Sequence, residues 1–287
     1  MQIIRGTRSR VYYKNSFATL KPAKIKAFLT LDHSQLEVTL MVATPPPKKR
    51  PELVITWEKP PADFQLDDAP VDNTTQPLIA GALSESLEIS GRIQSENLIA
   101  SNFGLCAKVG DELTIKAPNW LYVPRINSPG GDRKTYTPHL EGDSPSIVME
   151  FLSATDGGEY SIRQILPVGK WFFYEQVLEV ATHVVFEPDL GLLEVYRLQS
   201  DRYVLEQPDE NGHHWFEELQ LLLGTWRGEK ENRSGYWLRW WDAEARLLPW
   251  AIEKVEVERY RADVEKQRAD RLAEALRKQG IDPDAIA

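Results

Sequence analysis

Along this chain the apolar positions change their period several times, and each change marks an element. In QPLIAGALSESLEI, Leu78, Ile79, Ala82, Leu83 and Leu87 recur every three to four residues, the spacing of a helix with one face on a core. Thr74 or Thr75 stands as its N-cap. Pro77 falls in the first turn, where a missing N–H leaves no bond unmade. NLIASNFGLCAKV then alternates as a strand, the residues from Val109 to Glu112 turn, and ELTIKAPNWLYVPRI returns. That pattern predicts a β-hairpin whose second strand carries Pro118 and Asn119 in its middle. Upstream, LVITW (53–57) reads as a short strand, and the Gly-, Pro- and Ser-rich stretch 127–146 reads as loop.

The next unit is the densest. SIVMEFLS is a short buried strand, GKWFFYEQVL a helix in which Trp171, Phe172 and Phe173 fill the core, and THVVFEPDLGLLEVYRL a strand, a turn and a second strand. Strand, helix and strand within so short a span predict a right-handed crossover beside a hairpin, and so a mixed sheet flanked by helices. Further short strands follow, anchored by Trp226, Trp237, Trp240 and Trp241, with DENG and GHH as hairpin tips. His213 and His214 on that tip read as a surface turn, because adjacent histidines lack the i, i+4 geometry of a zinc helix.

From Glu253 to Gln279 the pattern changes again. Charges interleave without Gly or Pro, and Val255, Ala262, Ala269 and Leu276 recur every seven residues until Gly280. A stripe this narrow predicts either a weak coiled coil, and with it a homodimer, or a solvated projecting helix. The chain therefore divides into a basic, Pro-rich extension over 1–50 that reads as poorly ordered, a core domain over 51–250 and a helical tail over 251–287. The start of MVATPPPKKRPE suggests Met41 as the natural initiator.

Composition narrows the function. With 287 residues and 42% hydrophobic content there is enough apolar material for one sizeable core. No apolar run is long enough for a membrane span, and the single Cys106, in an apolar stretch, excludes an internal disulfide framework. A soluble, cytoplasmic protein is the expectation. Residues 1–40 hold seven Lys or Arg against two acids, so of the net −9 the part from Met41 onward carries −14. Such a field opposes nonspecific DNA binding, and any nucleic-acid contact has to be local, at patches such as Arg125, Arg133 and Lys134.

Candidate chemistry centres on Glu150, a carboxylate inside the apolar strand IVMEF, which has to meet a cation, a donor or a metal. An ion pair and metal ligation both satisfy it. Asn119, on the strand that carries the Pro-Asn pair, would offer a second oxygen to a hard cation such as Mg²⁺. Lys170 opens the following helix with Tyr174 one turn on, and an ammonium there can hold a water or offset charge on a phosphate. Asp156 and Glu159 are candidate substitute carboxylates in the loop after the strand, with Glu141 and Asp143 behind them, and Arg163 is a candidate phosphate ligand.

Taken together, PSIVMEFLSATDGGEYSIR, GKWFFYEQVLEVATHVVFEPDLGLLEVYRL and GYWLRWWDAEARLLPW with its charged tail resemble the cyanobacterial restriction-endonuclease-like proteins of the Uma-two group, a branch of the PD-(D/E)XK nuclease superfamily. The resemblance runs from about Glu52 to the C-terminus. It implies an α/β (α+β) fold with a restriction-endonuclease-like core, a mixed sheet flanked by helices and a C-terminal charged helix. It further implies a Mg²⁺- or Mn²⁺-dependent endonuclease hydrolysing DNA phosphodiesters, with Glu150, Lys170 and Asn119 as catalytic residues. Glu150, Asn119 and Asp156 would then be metal ligands, and Arg163 and Tyr174 substrate contacts. Two positions depart from the pattern: Asn119 stands where an aspartate is expected, and Leu152 where the lysine of the motif would fall. The second reading is a catalytically inactive nuclease fold acting as a binding or assembly module through its tail.

Overall fold

The computed structural model describes residues 54–61, 74–152, 168–280 and 282. The N-terminal extension with Met41, and the loop that carries Asp156, Glu159 and Arg163, lie outside the described residues. The chain separates into two units, 1–52 and 53–287, and the described residues all lie in the second.

Among the described residues this unit is a mixed α/β structure, mostly sheet, with three helices. A six-stranded sheet is its centre. Its strands are β2 (Leu98–Ala100), β5 (Trp120–Val123), β7 (Ile147–Phe151), β8 (Thr182–Glu187), β9 (Leu192–Gln199) and β10 (Arg202–Leu205), in the order β10-β9-β8-β7-β5-β2. Only β7 and β8 run parallel, Val148 facing His183 and Glu150 facing Val185. The other neighbours are antiparallel, so the crossover and hairpin expected from 147–199 form one mixed sheet. All five residues of β7 are buried, because both faces of the sheet are covered.

One face, with Ile147, Met149, Phe151, Trp120 and Val184, shares a core with helix α1 (Thr75–Ile89) and with a three-stranded sheet. That sheet is built from β11 (His214–Phe216), β12 (Leu221–Lys230) and β13 (Arg233–Trp241). The tryptophans read as anchors sit here, Trp237 and Trp240 fully buried and Trp250 beside them. The opposite face, with Leu121 and Val148, shares a second core with Leu105, Ala107 and Val109 of strand β3 (Gly104–Val109) and with Val168, Phe172 and Phe173. Strand β3 pairs with β4 (Glu112–Lys116), β1 (Ile55–Thr56) and β6 (Thr135–Tyr136) in a second small sheet.

Helix α2 (Lys170–Phe172) runs directly into a π-helical segment, Phe173–Val177, in which the Leu178 N–H reaches back to the Phe173 carbonyl at 2.9 Å. Helix α3 (Ala251–Lys278) is 28 residues long and has no buried residue. It ends as expected at Gly280, whose φ of +75° is costly for a residue with a Cβ. None of these helices is long and apolar enough to cross a membrane.

The structure corrects the strand assignment in three places. The stretch TIKAPNWLYV is two strands: β4 belongs to the small sheet and β5 to the central one, with Pro118 and Asn119 between them. NLIASNFGLCAKV divides in the same way into β2 and β3. Proline removes the N–H that would continue a ladder, so the chain changes sheets where a continuous strand would have held it in one. DENG is not a hairpin tip, since β10 and β11 on either side of it lie in different sheets. His214 is not a surface turn residue but the buried first residue of β11, while His213 stacks on Trp241 with ring centroids 4.2 Å apart. Thr74 does occupy the N-cap of α1, but its side chain makes no capping bond.

Candidate functional site

Strand alternation decides what Glu150 meets. Along β7, Val148 faces the second core, and Glu150, two residues on, points the same way. The helical pair Lys170 and Tyr174 stands over that face. Lys170 Nζ donates to Glu150 Oε2 at 3.0 Å and the Tyr174 hydroxyl donates to Oε1 at 2.8 Å. Glu150 is fully buried, and Lys170 keeps 28% of its side-chain surface. The three residues singled out around the crossover are therefore one hydrogen-bonded cluster.

Asn119 is placed beside them, in a different role. Strand β5 begins at Trp120, opposite Met149, so Phe151 has run past its neighbour. Asn119 Oδ1 accepts from the Phe151 N–H at 2.6 Å, and Gln76 Nε2 donates to the Phe151 carbonyl at 2.6 Å. Two buried amide side chains thus replace the missing ladder bonds of β5. Asn119 Nδ2 makes longer contacts, 3.4 Å each, to Gln76 Oε1 and Asn102 Oδ1. The other acids fall elsewhere: Glu141 pairs with Lys59 and Arg133, and Asp143 with Arg125.

Mg²⁺ and Mn²⁺ bind through the charge of hard oxygen ligands. Among the described residues no group of three His, Cys, Asp or Glu gathers to hold a metal. Among the described residues the cluster has one carboxylate, which is paired with Lys170 and carries a hydrogen bond on each oxygen, and the amide of Asn119 brings no charge and is engaged on the backbone. The described donors, as they are arranged, do not fit a divalent cation.

Behind the cluster, His183 is fully buried with neither ring nitrogen hydrogen-bonded. Aromatic rings enclose it, Trp171 at 5.1 Å and Tyr174 and Tyr203 each at 5.4 Å between centroids. Burial, and then the Lys170 charge, push its pKa down to about 3, so it is neutral at physiological pH.

Two features carried no readable sequence signal. Lys116 ends β4, and burial followed by the nearby Lys170 ammonium holds its pKa below the usual lysine value, partly offset by Glu112. At the far edge of the central sheet, Arg197 forks onto Glu206 at 2.6 and 3.2 Å, and Glu206 meets His214 Nδ1 at 2.9 Å. These residues line a surface cavity of about 520 Å³ together with Asp209 and Trp215. Burial alone would raise the Glu206 pKa, but its hydrogen bonds with Arg197 and His214 hold it low. The partners of both features come from separate segments, which no local pattern connects.

The described fold and site define a mixed α/β protein with a buried carboxylate–lysine–tyrosine cluster between two sheets. Compared with models of known protein families and with curated proteins, the chain gives no match.

Proposed function

We propose that this chain is built on a PD-(D/E)XK-like core whose metal site has lost its hold on the cation, and that it acts as a binding or assembly module. The observation that carries this reading is Asn119, whose oxygen is engaged on the Phe151 N–H at 2.6 Å. Glu150 is left as the one carboxylate among the described residues of the cluster, already neutralised by Lys170. Helix α3, exposed along its length with Val255, Val257, Tyr260 and Val264 on its surface, is the element that would recruit a second copy.

The test is incubation of the purified protein with supercoiled plasmid and Mg²⁺ or Mn²⁺. The expected result is no cleavage above a Glu150→Gln control. Metal-dependent cleavage that disappears in Glu150→Gln would overturn the reading. It would favour the second one, a metal-dependent DNA endonuclease in which Asp156 supplies a further carboxylate. That alternative is supported by the direct meeting of Lys170 and Glu150 at 3.0 Å, the pair that the resemblance implies.

A further inference from the structure

Arg197 lines the cavity of about 520 Å³ at the edge of the central sheet, but its charge is spent on the protein. Nε and Nη2 fork onto Glu206, Nη1 donates to Thr182 Oγ1 at 2.8 Å, and Nη2 also donates to the Trp215 carbonyl. Guanidinium and carboxylate are thus a matched bidentate pair. No other Lys or Arg is among the residues lining the cavity. Its remaining acids, Asp209, Glu217 and Glu218, are exposed, and none makes an ion pair among the described residues. Asp209 accepts from the N–H groups of Asn211 and His213, and Glu217 from the Trp215 indole. Glu218 has no described hydrogen bond, so the cavity is built for a positive guest and against an anion.

Acids alone would be a solvated surface, and His214 adds what a surface lacks. It lines the same cavity and is only 3% exposed. Its Nδ1 lies 2.9 Å from Glu206 Oε1. An ionised carboxylate only accepts, so Nδ1 carries the proton of that bond. Burial holds the His214 pKa below the usual histidine value against the upward pull of Glu206, and the ring is neutral at physiological pH. Nε2 is therefore left with a lone pair. Among the described residues that nitrogen has no hydrogen-bond donor, Nδ1 being the ring atom that is bonded. An acceptor on a side chain so deeply buried is costly unless a donor reaches it. Trp215 and Leu222, half-buried and opposite each other across β11 and β12, give the cavity apolar lining.

We infer that this cavity binds an alkylammonium ion, whose –NH₃⁺ group donates to His214 Nε2 within the field of Asp209, Glu217 and Glu218. An ammonium has three donors and no acceptor, which matches one neutral ring nitrogen flanked by carboxylates. Its alkyl stem has Trp215 and Leu222 to lie against. A metal ion is a poorer match, because among the described residues no three His, Cys, Asp or Glu gather to hold one. The inference is independent of the reading given for Glu150 and Asn119, neither of which lines this cavity.

The test is calorimetric titration of the full chain with 1,5-diaminopentane at low ionic strength and about pH 8, where His214 is neutral. Binding with Kd of about 1 mM or tighter is expected. His214→Phe removes the acceptor and should weaken binding about tenfold, the size of one charge-assisted hydrogen bond. Because His214 is buried on Glu206, Glu218→Gln is the variant that leaves the fold alone, and it should weaken binding about threefold, as expected of one exposed charge. The uncharged 1-pentanol should not bind. No binding at about 10 mM diamine, unchanged affinity in Glu218→Gln, or equal binding of 1-pentanol would overturn the inference. A parallel titration with Nα-acetyl-lysine methylamide names the source: tighter binding than the diamine points to a lysine of a partner protein, and weaker binding to a free amine. Plasmid cleavage is read separately, so nuclease activity would defeat the functional proposal whatever the amine titration shows.

Discussion

Lys170 Nζ lies 3.0 Å from a Glu150 carboxylate that is wholly removed from solvent, and Tyr174 from the same helical stretch closes the other oxygen at 2.8 Å. A carboxylate can stay ionised in an apolar strand only with partners of this kind. Removing the cation should therefore cost more than the pair contributes. Lys170→Met is expected to lower stability by about 3 kcal/mol in urea unfolding. Adding Glu150→Leu should restore part of that loss, because no charge is then left buried. A double variant no more stable than Lys170→Met would show that the two residues are not coupled.

Asn119 makes a separate prediction, since its oxygen terminates the β7 ladder at Phe151. Asn119→Ala leaves a buried N–H without its acceptor and should cost about 1–3 kcal/mol. The same change should speed amide hydrogen exchange at Phe151 more than at Val148, which lies inside the ladder. Equal protection at both positions would mean that the side chain does not close the strand.

His183 links stability to pH. An unfolded histidine titrates near 6.5, whereas in the fold burial and then Lys170 push His183 down to about 3. Between those values the unfolded chain binds the proton and the folded chain does not, so stability falls as pH is lowered through that window. The thermal midpoint should drop from about pH 6.5 downward, and His183→Leu should flatten the drop. Some slope will remain, because His214 is also shifted down by burial, against a partial upward pull from Glu206.

The root of α3 is fixed by Arg239. This arginine is fully buried, donates to both oxygens of Glu253 at 3.1 and 2.7 Å, and lies 3.5 Å from the centre of the Trp250 ring. Glu253 in turn accepts from the Trp250 N–H at 2.7 Å, closing the first turn of the helix. Arg239→Met should raise hydrogen exchange across Ala251–Lys254 and lower stability by about 3 kcal/mol. Unchanged exchange there would show that the helix does not depend on this anchor.

Beyond that first turn, α3 buries no residue. A chain ended after Glu258 is therefore expected to unfold within about 2 °C of the full protein, since surface changes of this kind leave stability nearly unaltered. It should also lose any concentration-dependent association seen by sedimentation. Association that survives the truncation would place the contact elsewhere.

The order of elements was readable from the sequence because it depends on local period. The α1 face, the β3–β4 hairpin, the buried run of β7 and the charged α3 all follow from the spacing of apolar residues over a few turns or pleats. That Glu150 has to meet a cation, a donor or a metal was also readable, because a carboxylate in an apolar strand is costly alone, but the sequence left the choice open and the structure shows Lys170 and Tyr174 on it. Sheet membership was a different matter. Whether LIA and GLCAKV share a ladder depends on partners tens of residues away, and only the folded chain shows the break at Pro118. The same holds for Asn119, whose amide is engaged on the backbone of a strand distant in sequence. It holds for Lys116, whose place opposite Leu105 is set by the pairing of β3 with β4. Local spacing specifies which residues are apolar on a given face, whereas long-range pairing specifies which faces meet, and the described partners of Glu150 and Asn119 are set by that second step.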